Sequence, residues 1–310
     1  MKLSIVTTLY QSSPYIKEFY RRASDTARAL VKDDYEIIFV NDGSPDNSLE
    51  LAVNFSKSDA HIVVIDLSRN FGHHKAMMAG LTHATGDQLF LIDSDLEEDP
   101  EWLLTFSQQL EEQQCDVVYG VQESRKGGLF EKVSGEIYYW LLDRMLSVSH
   151  PKNITTARLM TRSYVDALLL HQEREIVISG LWLITGFDQK SSKVSKITTG
   201  TSTYNLRRKI SHLVNTITSF SSKPLVLIFF TGTTIFFISL LSTINLVVNR
   251  IFFSAPLDGW TSVMASIWLL GGITISFLGI IGIYLSKIYT EIKQRPNFII
   301  KDIYGKKDGD

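Results

Sequence analysis

The sequence predicts an α/β domain, a mostly parallel sheet with helices on both faces, followed by a C-terminal transmembrane helical hairpin. Three observations carry this. Short β-rich runs alternate with helical stretches through residues 1–121, a pattern that implies right-handed crossovers and parallel strands. Two long uncharged apolar runs lie near the C-terminus, each exceeding the roughly 20 residues that cross a bilayer as a helix. Polar and acidic residues gather where the apolar runs end, the edge at which such sheets bind their ligands.

Strands are predicted in "KLSIVTTLY" (2–10), "YEIIFVND" (35–42), "HIVVIDLS" (61–68), "QLFLIDSD" (88–95) and "CDVVYGV" (115–121). Between them, "SPYIKEFYRRASDTARALVK", "SPDNSLELAVNFSK" and "HHKAMMAGLTHAT" have helical periodicity. A further helix is expected in "EWLLTFSQQLEEQ", with Asp99 as its cap, Pro100 at its first position and Glu101 in its first turn. On that reading Glu98, Asp99 and Glu101 are helix punctuation. The domains expected are a cytoplasmic domain over 1–210, a juxtamembrane segment over 211–223, two membrane helices within 224–290 and a tail over 291–310.

The uncharged runs cover 224–248 and 263–285. Gly232, Gly271, Gly272, Gly279 and Gly282 suit close helix packing in lipid and leave room for a homo-oligomer. Arg207, Arg208, Lys209 and Lys223 precede the first run, Lys287, Lys293, Arg295, Lys301, Lys306 and Lys307 follow the second, and the connection holds only Arg250. The positive-inside rule then puts both termini and the N-terminal domain in the cytoplasm, the expectation being a multi-pass protein of the inner membrane. The opening "MKLSIVTTLY" has no long apolar segment of the signal-peptide type.

Composition narrows the function classes. With 31 Lys and Arg against 33 Asp and Glu, the formal charge of -2 gives no reason to expect nucleic acid. The lone Cys115 excludes an intrachain disulfide and a cysteine metal motif. No G-x-G-x-x-G follows the first strand, and neither a G-x-x-x-x-G-K-[ST] nor a G-x-S-x-G occurs, which removes the main support for dinucleotide, P-loop and serine-hydrolase readings. The stretch "LFLIDSDLEEDPEWL" (89–103) is the positive signal. Two aspartates one residue apart, Asp93 and Asp95, leave a buried strand and can offer oxygens to one hard cation, Mg²⁺ or Mn²⁺. Such an ion stabilises a diphosphate leaving group.

The order "VTTLY", "VNDGSPDNS", "LSRNFGHHKAMMAG", "TGDQLFLIDSDLEEDPE", "GTSTYNLRR" and two apolar runs resembles the polyprenyl-phosphate glycosyltransferases of glycosyltransferase family 2. That group includes dolichol-phosphate mannose synthase, the bactoprenol glucosyltransferases and the aminoarabinose transferase of lipid A modification. The resemblance implies a GT-A domain. Its expected activity is transfer of a sugar, with inversion, from a nucleotide-sugar donor, UDP-sugar favoured, to membrane polyprenyl phosphate for cell-envelope glycan modification. Residue by residue, it implies that Asp42 accepts a hydrogen bond from the base, with Thr8 and Tyr10 lining that pocket. Gly72 would allow close backbone approach and Lys75 would face the donor phosphates. Asp93, Asp95 and Glu97, the last at a position commonly Gln, would be the metal side. Arg125 and Arg158 would bind phosphate, and Ser202, Tyr204, Arg207 and Arg208 would capture the lipid phosphate, while at least one of His73 and His74 is read as a solvated helix start.

Two departures stand out. The usual P-x-Y-N-E opening is replaced by Thr8, Leu9, Tyr10, Gln11 and Ser12, and Thr156 stands where many relatives carry an acid taken as the catalytic base. A phosphate monoester with a second pKa of about 6 is already largely ionised at neutral pH and needs little base assistance. A processive polysaccharide synthase would want a Q-x-x-R-W motif, which is missing. A degenerate membrane scaffold is the other alternative, and metal-dependent nucleotide-sugar binding separates it from an enzyme.

Overall fold

The computed structural model describes residues 2–122, 153–196, 214, 217–219, 221–253 and 259–305. The chain divides into a sheet unit and a helical unit, and the helical unit includes Leu206–Gln294.

In the sheet unit the elements are β1 (Leu3–Leu9), α1 (Ile16–Val31), β2 (Tyr35–Asn41), α2 (Ser48–Ser58), β3 (Ile62–Leu67), α3 (His73–His83), β4 (Gln88–Leu91) and α4 (Trp102–Gln113). They are followed by β5 (Val117–Gln122), β6 (Ile154–Thr161), α5 (Arg162–Leu169), α6 (Ile178–Ile184), β7 (Gln189–Val194) and, after the helical unit, β8 (Ile300–Tyr304). The sheet order is β7-β5-β6-β4-β1-β2-β3-β8. β1 pairs in parallel with β2 and β4, β2 with β3, and β5 with β7. β6 and β8 run antiparallel to their neighbours.

All seven residues of β1 and of β2 are buried, as expected of strands covered on both faces. Ile5, Ile37, Phe39, Val64 and Phe90 form one face and meet Phe19 and Ala23 of α1 and Phe106 of α4. Phe19 lies edge-on to Phe39 and Phe106 edge-on to Phe90, each at 6.1 Å. The alternate residues Val6 and Val40 face Gly80 of α3, where a β-carbon would collide with both valines. Helices therefore cover both faces because the strand period of two splits one apolar run between them.

The five expected strands are present, with β4 ending at Leu91 so that Asp93 and Asp95 lie on a loop. Periodicity did not reveal β6, β7 or β8. Residues 291–310, read as a tail, contain β8, whose Ile303 and Tyr304 pair with Ile65 and Val64. The punctuation reading of the acids is corrected too. α4 starts at Trp102 with no side-chain cap, and Asp99 and Glu101 instead clamp Arg22 of α1, Asp99 at 2.7 Å.

The helical unit contains α7 (Lys223–Phe253) and α8 (Trp260–Ile292). Among the described residues one stretch, Ser266–Ile292, is long and apolar enough to cross a membrane; the apolar part of α7 that qualifies by composition, Lys223–Ile235, is shorter. A β-carbon at Gly232, Gly271, Gly272, Gly279 or Gly282 would meet nothing within 4 Å. Among the described residues, then, nothing packs closely against these glycines.

Candidate active site

The carboxyl ends of β1, β2 and β4 open onto a cavity of about 410 Å³ lined by Thr8, Tyr10, Asp42, Gly72, His73, Asp93 and Asp95, among others. That volume falls within the range of small-molecule sites. Tyr10 is 52% exposed at its rim. The serine-rich connection after β2 is held by Asp46, whose Oδ1 accepts from the hydroxyls of Ser44 and Ser48, each at 2.6 Å, and whose Oδ2 accepts from the Ser13 N–H at 3.0 Å. Gly43 adopts φ +60°, and a β-carbon there would sit 2.5 Å from the Asn70 nitrogen. The turn after β2 can approach the 69–72 loop only because position 43 has no side chain.

Asp42, 2% exposed, organises that loop. Its Oδ1 accepts from the Phe71 N–H at 2.7 Å and its Oδ2 from the Gly72 N–H at 3.0 Å. Burial raises its carboxyl above the ordinary value, against the pull of these two N–H groups. Asp42 thus lines the cavity, with both oxygens engaged in shaping it.

Around the acidic turn, Ser94 points inward and donates to the Thr8 carbonyl at 2.9 Å and to the Ser12 hydroxyl at 3.0 Å. The flanking Asp93 and Asp95 consequently line the cavity. Leu96 follows in the left-handed region at φ +60°, uncommon for a bulky residue, and the Glu97 N–H donates to Asp95 Oδ1 at 3.0 Å. His73 is no idle helix start. Its Nδ1 lies 3.0 Å from the Thr8 hydroxyl and its Nε2 lies 3.2 Å from Asp93 Oδ1.

Burial alone would lower the His73 imidazole, but Asp93, with Asp42 and Asp95 behind it, raises it overall. Burial alone would raise Asp93; His73, the Thr156 hydroxyl and Lys196 hold it below the ordinary carboxylate value. Asp95 is raised, chiefly by burial and then by the neighbouring acids.

Behind the turn, Glu98 is fully buried. It accepts from the Thr156 N–H at 3.0 Å and the Ala157 N–H at 2.7 Å, and Lys196 Nζ lies 3.3 Å away. Burial, with the Asp93 charge adding to it, pushes this carboxyl up to about 7. Arg158 is 1% exposed and stacks on the Trp182 ring at 3.0 Å; burial lowers its guanidinium to about 9.

Of the residues singled out from the sequence, Thr8, Tyr10, Asp42, Gly72, Asp93 and Asp95 come together on the cavity, while Lys75, Glu97 and Arg158 are not among its lining residues. Arg158 is packed beneath Trp182 instead of facing the cavity. Glu97 is drawn to Lys196, 3.3 Å from its Oε2, and among the described residues no three acidic or imidazole side chains converge as a metal cage. The three-carboxylate set is therefore reduced to Asp93 and Asp95. Arg125, Ser202, Tyr204, Arg207 and Arg208 lie outside the described residues. His73, Glu98 and Lys196 escaped sequence reasoning because nothing local separates a histidine at a helix start, one acid among six or a lysine after a polar strand from ordinary surface residues.

The two remaining aspartates do fit a hard divalent cation. Asp93 Oδ1 is buried with the His73 imidazole 3.2 Å away, Asp95 shares its cavity, and Mg²⁺ is commonly held by one or two carboxylates with substrate phosphates and water completing the shell.

The glycosyl transferase family 2 profile matches residues 4–169. A Mycobacterium tuberculosis relative, named at the level of glycosyltransferases without a substrate, is 53% identical over 305 residues, 98% of this chain and 89% of its own. The Bacillus subtilis uncharacterized glycosyltransferase YkcC is 33% identical over 98% of this chain and 95% of its own. The prophage-derived bactoprenol glucosyl transferase of Shigella flexneri is 30% identical over 97% of this chain and 98% of its own. With a family 2 match over more than half its length, a GT-A sheet and relatives matching end to end, this chain belongs to glycosyltransferase family 2.

Proposed function

We propose that the protein transfers a sugar, with inversion, from a nucleotide-sugar donor, UDP-sugar favoured, to a membrane polyprenyl phosphate such as undecaprenyl phosphate. The observation that carries this reading is the Asp93–Ser94–Asp95 turn, with its two carboxylates on one cavity at the carboxyl ends of the strands. The end-to-end similarity to a bactoprenol glucosyl transferase supports a lipid-phosphate acceptor.

Thr8, Tyr10 and Asp42 form the nucleotide end of the cavity, and Asp42 holds the Phe71–Gly72 backbone in position for it. His73 bridges Thr8 and Asp93 and so keeps the two ends in register. Asp93 and Asp95 would hold Mg²⁺ or Mn²⁺, which when bound offsets the charge of the departing diphosphate. In the reaction an ionised oxygen of the acceptor phosphate forms a bond to the anomeric carbon. The bond to the diphosphate breaks on the opposite face, the electron pair leaves with the nucleoside diphosphate, and configuration inverts.

Membrane attachment is part of the proposal. Trp268 is 80% and Ile275 72% exposed on α8, large apolar surface that a bilayer covers at no cost. The chain leaves the sheet unit before Leu206 and re-enters it at Arg295, and β8 pairs with β3 in the same sheet. Segments of one sheet lie on one side of a membrane, so the helical excursion crosses an even number of times. With one span in α8 this favours a second in α7, and the flanking Lys and Arg favour a cytoplasmic sheet unit.

The test is incubation of purified protein with undecaprenyl phosphate, Mg²⁺ or Mn²⁺ and a panel of nucleotide sugars, following lipid-linked sugar by mass spectrometry. Product that disappears with EDTA is expected. Absence of product from every donor, together with absence of metal-dependent nucleotide binding, would overturn the proposal in favour of a membrane scaffold.

A further inference from the structure

β4 stops at Leu91, opposite Arg158, while β6 extends back to Ile154. The N–H groups of Thr156 and Ala157 are thus left without a neighbouring strand on the β4 side. Both are taken by the one carboxylate of Glu98, Oε1 at 3.0 Å from Thr156 and Oε2 at 2.7 Å from Ala157. Consecutive N–H groups of a regular strand point to opposite sides. Here they converge on one group, at the level where the pairing of β6 with β5 shifts register between Tyr119 and Val121. The irregularity makes an anion-binding concavity of backbone N–H groups, and the chain fills it with its own glutamate.

Lys196, just after β7, has its Nζ 3.3 Å from Glu98 Oε1 and 3.3 Å from Glu97 Oε2. One fully buried carboxylate therefore joins the acidic turn, the strand that carries Arg158 and the segment after β7. Removing one partner of a buried ion pair is strongly destabilising, so each of these contacts helps to fix the others. The same loop carries Asp93 and Asp95 three and five residues before Glu98, across Leu96 at φ +60°.

We propose that Glu98, with Lys196 as its counter-ion, is a positioning residue. It sets where the Asp93–Asp95 turn stands relative to β6, and donor binding depends on it although it does not line the cavity. This rests on the reading of Asp93 and Asp95 as the donor-side pair.

The experiment compares the full-length wild type with Glu98→Gln and Lys196→Met in lipid nanodiscs. It measures amide hydrogen exchange, Mn²⁺ affinity in the presence of UDP by electron paramagnetic resonance, and kcat and KM for the donor. Glu98→Gln should speed exchange in residues 93–99 and 154–158 selectively. It should also weaken Mn²⁺ binding by about tenfold, the loss typical when a group orienting metal ligands is removed, and raise the donor KM with little change in kcat. Lys196→Met should move all three in the same direction. Folded variants with unchanged exchange in 93–99 and unchanged Mn²⁺ affinity overturn the proposal, as does a uniform rise in exchange over the whole sheet, the mark of a merely structural role. If Glu98→Gln does not fold, the partly exposed Lys196→Met decides alone. A wild type that neither binds UDP nor transfers sugar sinks the donor reading, while the exchange data still report on the joint.

Discussion

Ser94 is the pivot of the site at the scale of single residues. Its hydroxyl is tied to Thr8 and Ser12, which turns its two acidic neighbours outward to the cavity. Asp95→Asn keeps the size and the hydrogen bond from Glu97 but removes a charge from the pair, so turnover should vanish while circular dichroism and thermal unfolding stay near wild type. Thr156→Asp is the complementary change. The Thr156 N–H already serves Glu98 and its hydroxyl helps to hold Asp93 ionised, so a third carboxylate there meets like charge. Loss of activity and a lower melting temperature are expected, and a gain in rate would show that the site lacks a base. Asp46 bears on pH. Burial would raise it, but the hydrogen bonds from Ser44, Ser48 and Ser13 hold it well below the usual carboxylate range. A depressed carboxylate contributes stability that is present above its unfolded value of about 4 and is lost as pH falls through the folded one. Asp46→Asn should therefore cost about 1 kcal/mol at neutral pH, discounted for partial exposure, and flatten the acid side of a plot of melting temperature against pH.

Among elements, the loops at the carboxyl ends of the strands are held by close backbone approach and by buried carboxylates. Gly43→Ala introduces both a strained φ and a collision with the Asn70 backbone. It should cost more than about 1 kcal/mol and, by moving the loop that Asp42 orders, weaken UDP binding in calorimetry more than a destabilised protein elsewhere would. Strands β1 to β3 were legible in advance because strands buried on both faces are rich in β-branched and apolar residues with only isolated polar ones. β6 ("ITTARLMT") and β7 ("QKSSKV") were not. β7 lies at a sheet edge with polar residues, and β6 mixes a buried arginine into its run, so neither has a distinctive pattern. The helix punctuation assigned to Asp99 failed for a related reason, since a partner 77 residues away, Arg22, competes for its side chain.

At the level of the whole molecule, β8 closes the β3 edge of the sheet after the chain has passed through the helical unit. Lys301 of β8 lies 3.6 Å from Asp66, which accepts from Asn41 beside the cavity residue Asp42. Truncation after Gln294 would strip β3 of its neighbour and leave an open edge, a template for aggregation. The truncated protein should melt at a lower temperature and aggregate in size-exclusion chromatography; an unchanged monodisperse profile would show that β8 is dispensable.

Hydrophobic pattern and charge were enough to establish the α/β alternation and to single out the strand-end aspartates that line the cavity, because these depend on local periodicity and on residues close in the chain. The partners of each acid depended on segments far apart in sequence. Glu98 meets Thr156 and Lys196, His73 meets Thr8 and Asp93, and Arg158 lies under Trp182. A buried charge takes whichever opposite group or N–H the fold brings within about 3 Å, and no short stretch of sequence encodes that proximity.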